Sequence, residues 1–236
     1  KNHNFNQNVT NFTVRDFFSI ANGNNKTQSF TFQEYRVNSL YGMADFSYGS
    51  LFFVNLTARQ DWFSVLNPAN NSKFYPSVSG SFVFSELLKD LPWLSYGKLR
   101  GSWAQVGSAN GVNVYEGNLT YSIGANQFNN QTTASITQTA APNPNLQPFT
   151  VTEKEIGLEA RLFNNRLRFD IALFDKITTD QVLSVQLSDA SGYNTSKRNL
   201  GSLKNSGIEL MIEYTPFETT NFNWTTSFNN TYLKTE

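Results

Sequence analysis

VTEKEIGLEARLFNNRLRFDIALFDK, residues 151–176, decides the fold. Ile156, Leu158, Ala160 and Leu162 share one parity; Glu153, Glu155, Gly157, Glu159 and Arg161 share the other. After Asn164-Asn165 the alternation resumes, with Leu167, Phe169, Ile171 and Leu173 set against Arg168, Asp170, Ala172 and Phe174. Strict period-two alternation is the pattern of a β-strand with unlike faces. Asn tolerates positive φ, so Asn164-Asn165 predicts a two-residue hairpin turn. A turn centred there pairs Leu158 with Ile171, but sets Arg161 opposite Arg168 and Glu159 opposite Asp170, where like charges repel. Either diagonal contacts such as Glu159–Arg168 compensate, or the pairing slips by two, so that Arg161 meets Asp170 and Glu155 meets Lys176. A slip of two leaves each face unchanged. Whether the apolar face touches a protein core or lipid is a question for the rest of the chain.

Composition narrows the classes. Of 236 residues, 39% are hydrophobic, 15% aromatic and 15% charged, where about a quarter charged is usual. Twenty-one Phe, ten Tyr and four Trp make a β-prone mixture. Formal net charge is zero, so no basic surface argues for nucleic acid. Cys is absent, which suits a bacterial envelope protein and many cytosolic ones alike. No apolar run approaches the ~18 residues of a membrane helix. The N-terminus, KNHNFNQNVT, lacks a signal-peptide pattern, so either the mature chain begins here or this is an internal piece.

Outward from the hairpin, about eight strands alternate in this way. Residues 1–34, polar and rich in Asn, Thr and Gln, read as a loop or poorly defined lead-in, and the barrel-like region runs over 35–236. Strands are expected over 35–48, 51–61, 74–84, 98–107, 151–163, 166–176, 206–214 and 222–233. Phe52, Val54, Leu56, Phe82, Leu99, Trp103, Ile208, Leu210, Ile212 and Phe228 stand on their apolar faces. Ser85 starts one helical turn that Pro92 stops. The connections run short (49–50), long (62–73), medium (85–95), long (108–149), short (164–165), long (179–204) and medium (215–221). In an antiparallel meander alternate connections share an end, so one end carries tight turns and the other long loops. That asymmetry marks an outer-membrane β-barrel with short periplasmic turns and long extracellular loops. Ten residues at ~3.4 Å each, tilted by about 40°, climb about 26 Å, close to the apolar band of such barrels. Tyr48, Phe84, Phe163, Tyr214, Phe222 and Tyr232, near strand ends, suit aromatic girdles. A soluble β-sandwich or carbohydrate-binding β-protein is the alternative: it gives the same alternation with the apolar face turned inward, but its strands average five or six residues.

Four blocks carry a resemblance: YPSVSGSFVFSE (75–86), WLSYGKLRGSWAQVG (93–107), PNPNLQPFTVTEKEIGLEARLFNNRLRFDIALFDKITTDQVL (142–183) and NLGSLKNSGIELMIEY (199–214). Their ordered series, over roughly residues 35–234, resembles the barrel of SusC/RagA-type TonB-dependent transporters of Bacteroidota. The resemblance implies an all-β, antiparallel transmembrane segment of a barrel of about 22 strands, preceded by a plug domain and a TonB box. Plug, TonB box and final strands are expected to lie outside this chain. It further implies an outer-membrane location, TonB-energised import of an oligosaccharide or peptide, and a SusD-like surface lipoprotein as partner. A complete eight-stranded barrel, acting as a passive porin or structural anchor, is the other membrane reading.

No enzyme constellation appears. His3, the one histidine, stands in a polar terminus, which argues against a Ser-His-Asp arrangement and, with no Cys, against zinc; no cofactor is expected. Glu153, Glu155 and Glu159, and Glu209 and Glu213, are explained by period-two spacing as lumen-facing strand residues rather than catalytic acids. Asn-x-Ser/Thr matches at Asn8, Asn25, Asn118 and Asn194 read as chance in an Asn-rich chain, and GSANG lacks the Lys and helix of a phosphate loop. Arg59, Lys98, Arg100, Glu159, Arg161, Arg168, Asp170 and Lys176 are expected to project into the lumen, mostly as wall ion pairs. Trp62, Tyr115, Tyr121 and Tyr193 are loop aromatics able to stack on sugar rings or peptides, or to pack within folded loops. No particular residue is assigned to substrate.

Overall fold

A computed structural model describes residues 2–236; the side chains of Asn2, His3, Thr10, Asn25 and Ala125 lie outside the described residues, and with them the readings made for His3 and Asn25. The chain divides into two units, Lys1–Val37 and Asn38–Glu236.

The first unit is a hairpin. Strands β1 (Asn2–Phe12) and β2 (Gly23–Gln33) pair antiparallel, with Phe5 opposite Phe30 and Val9 opposite Lys26. This corrects the loop expected over 1–34. The stretch NHNFNQNVTNF has no apolar face to announce a strand, so its backbone pairing is what defines it. Its tip is organised by Asn22, whose Nδ2 donates to the carbonyls of Val14 and Phe17 at 2.7 Å each and whose Oδ1 accepts from Val14 N at 2.8 Å.

The second unit holds β3 (Val37–Tyr48), β4 (Phe52–Phe63), β5 (Ser72–Phe82), β6 (Leu94–Ser108), β7 (Ser122–Phe128), β8 (Gln131–Ser135), β9 (Ala140–Ala141), β10 (Phe149–Leu162), β11 (Leu167–Gln186), β12 (Thr195–Glu218) and β13 (Asn223–Thr235). Eight of them form an open antiparallel meander in the order β3-β4-β5-β6-β10-β11-β12-β13, and β9 adds to β12 in parallel. All eight expected strands are present. A short 3-10 turn, Phe84–Leu87, stands where the Ser85 turn was expected. No described helix is long and apolar enough to cross a membrane.

The hairpin takes the register without a slip. Leu158 faces Ile171, Glu159 faces Asp170 and Arg161 faces Arg168. Its turn places Phe163, Asn164 and Asn165 at φ 54°, 56° and 65°, and Arg166 N donates to Phe163 O at 3.2 Å. Asn bears the left-handed region more easily than other L-residues do. The same dipeptide closes β7 to β8, where Asn129 and Asn130 stand at φ 49° and 61°.

Several expected loops contain strand. Residues 179–204 are mostly continuations of β11 and β12, which pair out to Gln186 and Thr195 across irregularities near Gln181. The 108–149 loop contains the β7–β8 hairpin and β9. Trp62, expected in a loop, is in β4 opposite Ser72, on the parity of Phe52, Val54 and Leu56. Alternation weakens past the apolar rows, so period-two reading stops before the strands do.

Register sorts the side chains into continuous rows. One row runs Phe52–Phe82–Leu99–Leu158–Ile171–Leu210 across six strands. The next runs Val54–Gly80–Gly101–Ile156–Leu173–Ile208–Tyr232. These rows are uncovered: Phe52 is 46%, Leu99 42%, Ile156 52% and Leu173 47% exposed. Buried apolar residues lie instead largely at the long-loop end, where Phe63, Leu66, Ala109, Val112, Leu146 and Pro148 form a small core. A soluble sandwich would bury the rows and leave the loops outside; the opposite is found. Above the rows, Lys154 stands opposite Asp175, and Lys204 Nζ lies 3.1 Å from Asp175, so charge ends the apolar band on the same face.

Candidate transport wall

The opposite face of the meander is polar, and its rows interlock. Tyr96, Arg161, Arg168, Glu213 and Ser227 form one; Lys98, Glu159, Asp170, Met211 and Asn229 the next; Ser81, Arg100, Gly157, Ala172, Glu209 and Thr231 a third. All eight residues expected to face the lumen are on this side, in β4, β6, β10 and β11.

Arg100 is the centre of the wall. Its Nη1 and Nη2 donate to the two oxygens of Asp170 at 2.9 and 2.8 Å, and its Nε donates to Glu155 at 3.1 Å. The guanidinium thereby leaves β6, crosses β10 and reaches β11. Gly157, its direct partner on β10, makes the crossing possible: a Cβ there would stand 2.5 Å from Arg100 Cζ and 2.8 Å from Nε. Parallel N–H···O bonds to one carboxylate are the strong geometry for arginine.

Around this centre every expected cation has an anion. Lys98 Nζ is 2.8 Å from Glu159, Arg161 Nη2 is 3.0 Å from the same carboxylate, and Arg161 also covers the Tyr96 ring at 5.0 Å. Arg168 Nη1 pairs with Glu213 at 3.3 Å, Lys176 with Glu153 at 3.5 Å, and Arg59 with buried Asp61 at 2.6 Å. The like-charge oppositions of the hairpin are thus relieved from outside it, by β6 and β12. The diagonal Glu159–Arg168 contact that one hairpin alone suggested is replaced by Arg168–Glu213. Period-two spacing gives Glu213 only as a lumen-facing carboxylate, and nothing in residues 151–176 points to its pairing with Arg168. Apart from the one with buried Asp61, such partly exposed pairs add about 0–1 kcal/mol each; their larger effect is to leave a wettable wall with little net field.

Toward β3 the wall turns from charged to hydroxyl. Ser77, Ser79 and Ser81 of β5 line up with Thr57 and Asn55 of β4; Thr57 Oγ1 and Ser77 Oγ are 2.5 Å apart, and Asn55 Nδ2 donates to Asp45 at 2.5 Å.

The long-loop end is tied together by two side chains. Lys197 Nζ donates to Gly111 O at 2.6 Å and pairs with Glu116 at 2.6 Å. Asn199 Nδ2 donates to Gln147 O and Asp180 O at 2.8 and 2.7 Å, while its Oδ1 accepts from Gln147 N at 3.0 Å. Of the aromatics singled out, Tyr115 and Tyr121 are 69% and 63% exposed, Tyr193 is half-buried, and Trp62 belongs to the lipid-side parity instead.

These features match known proteins. A family profile described as "TonB dependent receptor-like, beta-barrel" matches residues 2–236. The TonB-dependent receptor P26 of Formosa agariphila is 29% identical over 80% of this chain and 19% of its own length. The TonB-dependent receptor SusC of Bacteroides thetaiotaomicron is 28% identical over 84% of this chain and 20% of its own. The chain therefore spans about a fifth of the curated relatives it matches. Among solved structures, the RagAB peptide transporter superposes with a TM-score of 0.81 at 23% identity, covering 95% of this chain and 25% of that one. The siderophore receptor PirA of Pseudomonas aeruginosa shares the fold at a TM-score of 0.56 and 16% identity. The rows facing away from the wall are accordingly lipid-facing, and the sheet stands in the outer membrane.

Proposed function

Because the chain belongs to the TonB-dependent receptor-like β-barrel family, we propose that it forms a sector of the wall through which an oligosaccharide or peptide is imported, energised through TonB and supplied by a SusD-like surface lipoprotein. The family is one of receptors and transporters rather than enzymes. The observation that carries the reading is the two-faced sheet. Uncovered apolar rows suit lipid, and the Arg100-centred face suits a wide, water-filled passage in which ions need no desolvation. Likeness to SusC and to a peptide transporter supports import of a polymeric nutrient. The sector's task is to hold that passage open without covalent chemistry.

The test is uptake of labelled oligosaccharides and peptides by cells with and without the gene, and with and without TonB, together with affinity capture of the detergent-extracted protein. Uptake lost in both deletions, with a lipoprotein co-purifying, is the expected result. Uptake that persists without TonB would instead favour a passive pore.

A further inference from the structure

Between Glu116 and Glu153 no charged residue occurs. The one charge near the start of this stretch, Glu116, is itself neutralised by Lys197 at 2.6 Å. The neighbouring long connection, residues 64–71, holds no charge either, and 187–194 holds only Asp189. Surface loops ordinarily carry many Lys, Glu, Asp and Arg. Here their place is taken by Asn, Gln, Thr and Ser, with exposed aromatic and aliphatic side chains among them.

The charge-free stretch contains the β7–β8 hairpin, which belongs to a separate two-stranded sheet at the long-loop end. Ile123 is 78%, Phe128 72% and Tyr121 63% exposed. Phe128 stands opposite Gln131, and Gln127 opposite Thr132. Apolar faces and neutral hydrogen-bonding groups therefore alternate along one short element. A two-stranded hairpin alone is marginal in water, and exposed aromatics at this density mark a contact surface.

We propose that this hairpin is the element that sets ligand charge: it takes an uncharged, hydroxyl-rich oligosaccharide and disfavours polyanionic ones. The inference rests on the import function proposed above and selects within it. Amide and hydroxyl side chains exchange hydrogen bonds with sugar hydroxyls without desolvating an ion. Phe128 and Tyr121 offer flat apolar surfaces to the C–H faces of pyranose rings. A sulfate or carboxylate brought to the hairpin finds no cation on it, since residues 117–152 carry none, and so loses hydration without recompense there. The wall below agrees, since its cations are already matched by carboxylates.

The experiment uses the intact detergent-solubilised protein and calorimetric binding of a panel of neutral oligosaccharides, the same oligosaccharides sulfated, and uncharged peptides. Neutral members are expected to bind about tenfold or more tightly than their sulfated forms, and Phe128→Ala to weaken neutral binding by about tenfold, the scale of losing one buried aromatic anchor. Gln127→Lys/Gln131→Lys is expected to narrow the neutral-to-sulfated ratio by raising sulfated binding. Retained resistance of the folded barrel to SDS at room temperature shows that each variant is folded. Equal binding of the sulfated series, preferential binding of peptides, no binding by any neutral member, or indifference to Phe128→Ala overturns the proposal. None of these outcomes touches TonB-dependent uptake itself, which fails separately if the broader function is wrong.

Discussion

Replacing Leu158 with Arg tests the orientation of the sheet directly. Leu158 lies in the row Phe52–Phe82–Leu99–Leu158–Ile171–Leu210. On β10 that face runs Leu162, Ala160, Leu158, Ile156 and then Lys154, so Leu158 is central in the apolar span. Arg at the midplane of a barrel's lipid face costs about 2–4 kcal/mol, falling to about 0–1 near the interface. Thr152 shares the parity but lies beyond Lys154. Six residues at ~3.4 Å separate it from Leu158, about 20 Å along the strand or about 16 Å of height at a tilt of about 40°. Half the apolar band is only about 12 Å, so Thr152→Arg should cost about 0–1 kcal/mol. On the other face, Glu159→Gln weakens partly exposed pairs with Lys98 and Arg161 at 2.8 and 3.0 Å, about 0–1 kcal/mol. The assay is reversible folding of the intact protein into lipid vesicles, followed by tryptophan fluorescence in a urea titration. Leu158→Arg costing no more than Thr152→Arg or Glu159→Gln would refute the lipid assignment and with it the whole orientation.

Three further outcomes follow from particular contacts. Gly157→Leu should drive the Arg100 guanidinium off its saddle and cost about 1–3 kcal/mol as a steric and hydrogen-bond loss; in a double-mutant cycle, Arg100→Ser should recover part of it, measured by the same urea titration. Asn165→Val, forced to φ 65°, should destabilise by about 1–2 kcal/mol, whereas Asn165→Gly should be neutral or better; vesicle folding of the pair distinguishes turn strain from general sensitivity. Lys197→Met should release the loops around Gly111 and Glu116 while leaving the sheet intact, read as faster limited proteolysis within 109–148 and an unchanged urea midpoint.

The membrane architecture is legible in the resemblance and the loop lengths together. Leu158 and Glu159 show why: neighbours in sequence must face opposite ways on a strand, so alternation alone separates an apolar face from a polar one. The alternating loop lengths then say which ends of the strands go together. The 1–34 hairpin and the extensions of β11 and β12 were hidden for the converse reason. Backbone pairing needs no particular side-chain pattern where both faces meet water, so polar strands read as loops.

Sequence by itself determined the eight strands, their two faces and the Asn164-Asn165 turn, because these depend on residues close together in the chain. Tertiary structure alone decided the register's consequences. Arg161 opposite Arg168 and Glu159 opposite Asp170 are unfavourable pairs within the hairpin; Glu213 from β12 pairs with Arg168, while Arg100 and Lys98 from β6 pair with Asp170 and Glu159. Those partners lie roughly 40 to 70 residues away, and electrostatic compensation depends on distance in space rather than in sequence. The same holds for Gly157, an ordinary glycine in a strand until the side chain of Arg100 crosses over it.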